Sequence, residues 1–75
     1  MSYHLNEAQL SIVTNALRVA ADVYDTDALN ARREAERLDL AGSDAQAIGV
    51  RRVADQFARQ EREARELLDK IEGDE

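Results

Sequence analysis

The 75-residue chain contains no cysteine, no proline and no tryptophan, and Tyr3, Tyr24 and Phe57 are its only aromatic residues. Without cysteine there is neither a disulfide staple nor a thiolate metal site. The lone His4 cannot supply a structural zinc site, so no metal and no cofactor is expected. Without proline nothing forces a helix to break, and the three glycines stand at 42, 49 and 73. No apolar run approaches the roughly 20 residues needed to span a bilayer. Met1 to Leu5 lacks the positive flank and apolar stretch of a signal peptide, so cytoplasmic residence is expected. Acidic residues outnumber basic ones by 16 to 10, giving a net charge of −6. Such a surface repels nucleic acid and anionic lipid, and neither direct nucleic-acid binding nor membrane association is expected. A single domain of this size has a marginal core, which leaves close helix packing, oligomerisation or both to stabilise it.

What is present is helix former and heptad spacing. Ala, Leu, Arg, Glu and Gln dominate. Asn6 is a good N-cap with Gln9 at N3, a capping box, and Leu5 and Leu10 stand at the positions of a hydrophobic staple. Apolar residues then recur at Leu10, Val13, Leu17, Ala20, Tyr24, Ala28, Ala31, Ala35 and Leu38, the buried stripe of one long helix. Gly42 ends it, and Ser43 with Gln46 offers a second capping box. A second stripe follows through Val50, Val53, Ala54, Phe57, Ala64, Leu67, Leu68 and Ile71.

Folding the chain back at Gly42 pairs Leu17 with Ile71, Tyr24 with Ala64, Ala31 with Phe57 and Leu38 with Val50, large against small. The prediction is an all-α antiparallel helical hairpin: a helix of about 7–41, a turn at 42–46, and a second helix of about 47–72, whose start Gly49 weakens and leaves open between Asp44 and Val50. The helix-breaking trio Asp25-Thr26-Asp27 allows an alternative, a three-helix bundle with a break near Asp25. The heptad series passes through that segment in phase, which favours continuity. Asp55–Arg59, Glu61–Arg65 and Glu66–Lys70 are expected as acid-first pairs four apart. Asp22, Asp25 and Asp27 come level with Arg59, Arg62 and Arg65 across the hairpin.

Ile12, Val19 and Val23 lie off this seam and mark a second apolar face on the first helix, which Leu40 and Ile48 extend near the turn. A hairpin cannot bury two faces of one helix. The expected cover is a second copy, giving a homodimeric four-helix bundle, or a foreign protein. Ile12, Val19 and Val23, with Asp22 and Asp25 beside them, are therefore the predicted partner-binding residues, their acids steering toward a basic partner. Tyr3 is expected to pack on the helix ends or on a partner. Arg32, Arg33, Arg37, Arg51 and Arg52 gather toward the turn as a candidate anion-binding pole. The interleaved Glu34, Glu36, Asp39, Asp44 and Asp55 make a solvated, neutralised face the more economical reading.

Enzymatic activity is not expected. Acid–base chemistry needs a water-excluding concave site, and no phosphate loop, nucleophile elbow or His-x-x-x-His pair occurs. The patterns Leu5-Asn6-x-x-Gln9-Leu10, Ala16-Leu17-x-x-Ala20-Ala21-x-x-Tyr24-x-x-Asp27-Ala28, Gln56-Phe57-x-x-Gln60 and Ala64-x-x-Leu67 together resemble small helical accessory proteins of bacteriophages. That resemblance implies a class of short acidic inhibitors of host defence, anti-CRISPR proteins among them, acting by stoichiometric occlusion in the host cytoplasm. It carries over no functional residue. A non-enzymatic protein-binding module is thus the leading expectation. Its rivals are a self-assembling structural subunit and an oligomeric nucleotide or small-molecule sponge using the arginine pole.

Overall fold

The computed structural model describes residues 5–73; the expectation for Tyr3 lies outside them. Two helices, α1 (Glu7–Leu40) and α2 (Asp44–Gly73), pack against each other as a hairpin. The 34 residues of α1 run without interruption through Asp25-Thr26-Asp27, so the three-helix alternative falls away. At its start the Asn6 side chain accepts from the Gln9 amide at 2.8 Å, and the Asn6 amide donates to Gln9 Oε1 at 3.0 Å, completing the expected capping box.

The turn is tighter than the sequence suggested. Gly42 adopts φ +81°; its amide donates to the Asp39 carbonyl at 3.0 Å, and the Ser43 amide donates to the Leu38 carbonyl at 2.8 Å. This paired arrangement satisfies carbonyls at the end of α1 within two residues of its C-cap, Ala41. The Ser43 carbonyl already accepts from the Ala47 amide, so α2 begins at Asp44, the early end of the expected range, and passes through Gly49 intact. Among the described residues no side-chain hydrogen bond joins Ser43 to Gln46; the second capping box is not formed.

The seam differs from the expected stripe at several positions, for one reason. Its buried line is Ala21, Ala28 and Ala35 from α1 with Ala47, Ala54, Ala64 and Leu68 from α2. Ala20, placed in the stripe by its spacing, is only half-buried, while Ala21 is completely buried. Val53 and Leu67 are exposed, whereas Ala47, not anticipated, is fully buried. The physical reason is the alanine spacing. Alanines seven apart let the two backbones approach, and the larger heptad series Leu10, Leu17, Tyr24 and Leu38 with Val50, Phe57 and Ile71 is pushed to the margins, half-buried. Among the described residues no large side chain is completely buried.

The expected register is nevertheless kept. Ion pairs join Arg18 to Glu72 and Asp39 to Arg51, each one residue beyond the Leu17–Ile71 and Leu38–Val50 pairs. The molecule measures 53 × 21 × 16 Å, its length close to the roughly 50 Å that the 34 residues of α1 span at 1.5 Å per residue.

Candidate protein-binding surface

Heptad geometry gives the hairpin two unlike flanks. On one flank Arg18, Asp25, Arg32 and Asp39 of α1 lie beside Arg51, Ala58, Arg65 and Glu72 of α2. Three ion pairs cross between the helices here: Arg18–Glu72, Asp39–Arg51, and Asp22–Arg65 at 3.5 Å. Arg65 also donates through Nε to Glu61 at 2.9 Å, tying a carboxylate at a seam position to Asp22 on the other helix. The Glu61 hydrogen bond, with the nearby charges of Glu61 and Asp22, raises the Arg65 pKa above its ordinary value. Asp55–Arg59 and Glu66–Lys70, expected as pairs, are not among the ion pairs of the described residues. Their side chains are exposed, where an ion pair contributes little against the entropy of holding it.

The opposite flank has no such crossing pairs among the described residues. A groove between the helices is lined there by Leu17, Ala20 and Tyr24 of α1 and by Gln60, Glu63, Ala64 and Leu67 of α2. Val13 continues it toward the open end. On the turn half of this flank α1 instead presents Asp27 and Glu34.

The predicted partner-binding residues occupy the back of α1. Ile12, Val19 and Val23 are 69%, 63% and 50% exposed. Val19, Asp22 and Val23 come together around a shallow concavity that Thr26 and Asp27 complete. Ile12 extends the Val19 row one heptad toward the N-terminus. Asp25 is not part of this group, because its heptad position puts it on the ion-paired flank with Arg18 and Arg32. Leu40 and Ile48, 91% and 52% exposed, leave apolar surface near the turn uncovered as well.

Of the five arginines toward the turn, two are engaged by carboxylates. Arg37 donates to Glu34, its Nε lying 2.9 Å from Oε2, and Arg51 pairs with Asp39. Arg32 and Arg51 share a groove with Glu36 and Asp55, so cation and anion alternate around it. Arg33 and Arg52 are exposed on the outer faces of their helices. The Arg37 hydrogen bond, aided by its charge, lowers the Glu34 carboxyl below its ordinary pKa; the same contact raises Arg37.

Among the described residues no cluster of His, Asp or Glu is arranged to hold a metal ion, and no helix is long and apolar enough to cross a membrane. The exposure of Leu67 and Val53 was not anticipated, although heptad phase held the signal: both lie one position before the Ala47–Ala54–Leu68 series. Fold and surface together define a small antiparallel helical hairpin, sealed along a seam of alanines and carrying apolar surface beyond it. Comparison with protein-family models, curated proteins and solved structures found no match.

Proposed function

We propose that the chain is a non-enzymatic protein-binding module that works as a homodimer, two hairpins forming a four-helix bundle, and acts by covering a surface of another protein. Occlusion of a host-defence protein by a phage product is the concrete form, and the sequence resemblance to phage accessory proteins supports it. The observation that carries the binding reading is the row Ile12, Val19 and Val23 on the outside of α1. A hairpin has no means of covering this row, and contiguous apolar surface rimmed by acids is how a docking face for a protein looks. Asp22 at its edge would favour a basic partner and speed its approach.

The test is capture of a specific partner from a host lysate by the tagged chain, with Val19→Glu as the comparison. Loss of the partner by a variant that keeps its helicity and oligomeric state supports the reading. Undiminished capture by that variant removes the row from the binding surface.

A further inference from the structure

The homodimer just proposed leaves open which surface the second copy takes, and the two flanks answer differently. A compact chain of 8.4 kDa exposes about 4,600 Å². This hairpin exposes 5823 Å², an excess of roughly 1,200 Å² against about 800 Å² lost by each partner in a standard interface. Its radius of gyration of 16.7 Å likewise exceeds the roughly 11 Å of a compact chain of this length. The molecule therefore has surface to spare for one full interface.

The ion-paired flank is a poor seat, since Arg18–Glu72, Asp39–Arg51 and Asp22–Arg65 would have to lose their water. The opposite flank offers the groove of Leu17, Ala20, Tyr24, Ala64 and Leu67, with Gln60 and Glu63 as its polar edge on α2 and, among the described residues, no crossing ion pair. Leu67, 48% exposed, stands on its rim as a knob with no hole in its own chain.

We infer that a second copy lies on this groove, its two-fold axis parallel to the helices, with both turns at the same end. Charge placement selects the orientation. Apolar residues of α1 on this flank are confined to the open half, and Asp27 and Glu34 occupy the turn half. With the axis along the helices, α1 lies over α2 of the partner subunit. Ala20 then comes level with Leu67 of the partner subunit, Asp27 with an uncharged Gln60 of the partner subunit, and Glu34 alone with an apolar residue, Val53 of the partner subunit. With turns at opposite ends and full overlap, α1 lies on α1, and Val13 and Ala20 face carboxylates. The chosen arrangement makes every neighbouring helix pair antiparallel, which also opposes their dipoles favourably. It leaves Ile12 and Val19 outside, so the dimer presents two copies of this part of the row assigned to the foreign partner.

The absence of cysteine allows a clean test on the full chain. Sedimentation equilibrium is compared for the unaltered chain, Leu67→Glu, Ala20→Glu and Val19→Glu, with helicity followed by circular dichroism. The expected result is a dimer weakened at least about tenfold by either flank substitution, because each buries a carboxylate, and unchanged by Val19→Glu. Spin labels on Ala45→Cys, which leaves the flank intact, should lie within the width of the bundle across the dimer. A separation near or beyond the 53 Å length of the hairpin overturns the shared-end orientation. A dimer indifferent to Leu67→Glu and Ala20→Glu but broken by Val19→Glu overturns the flank and leaves the homodimer standing. A monomer at every concentration overturns both.

Discussion

At Gly42 the backbone sits at φ +81°, in the region where a β-carbon crowds the following carbonyl, and nothing else lies within 4 Å of where that carbon would stand. Gly42→Ala should therefore destabilise the fold by backbone strain alone, about 1–2 kcal/mol. Gly49 lies in regular helix with equally open space around it, and α2 runs through it unbroken. The same substitution there should stabilise by about 1 kcal/mol, since alanine lacks glycine's entropic cost in a helix. Thermal melts of both variants at one protein concentration check the pair, and shifts of the same sign would contradict it. These glycines also show where residue-level reading succeeds. Gly42 was legible as a stop because only its conformation, not its packing, is at issue. At Gly49 the sequence suggested a weak helix start, but the Ser43 carbonyl bonding to Ala47 had already nucleated α2 upstream.

Within the helices, the Glu34–Arg37 pair lies a turn apart in α1 and is exposed, and the pH dependence it brings to stability runs through the protonation of Glu34. The carboxyl is held below its ordinary pKa in the folded chain. Its contribution is therefore fully present above the ordinary carboxylate pKa and disappears as pH falls through the lowered folded value. Arg37→Gln should return Glu34 to the ordinary range in a carbon-detected NMR titration. Any gap in melting temperature between the two proteins should close in acid, and a gap that widens as pH falls would contradict the assignment. At this scale most of the hairpin was legible: the Asn6–Gln9 box, the continuity of α1 and the pairing register all follow from spacing. What spacing did not separate was Ala20 from Ala21. Both are alanines with the same weak hydropathy, and only the heptad phase shared by Ala21, Ala28 and Ala35 distinguishes the buried one. The unlike flanks were hidden for a related reason: sequence showed the charges, while which arginine meets which carboxylate depends on side-chain geometry at an exposed surface.

For the whole molecule, the decisive quantity is how stability responds to concentration. A hairpin whose completely buried residues are alanines removes little apolar area from water, and chains of this size come out near zero when burial is set against chain entropy. If a second copy supplies the missing burial, folding and association are one equilibrium, and the midpoint must rise with protein concentration. A tenfold increase adds about 1.4 kcal/mol per dimer, which for two chains of this length corresponds to roughly 4 °C. Leu67→Glu should flatten that dependence or leave the chain unfolded at low concentration. Added salt should strengthen the dimer, because each chain brings a net charge of −6 and screening weakens the repulsion between copies. A midpoint constant over a hundredfold range would mean that the alanine seam suffices by itself, and the exposed groove beside it would then need another occupant.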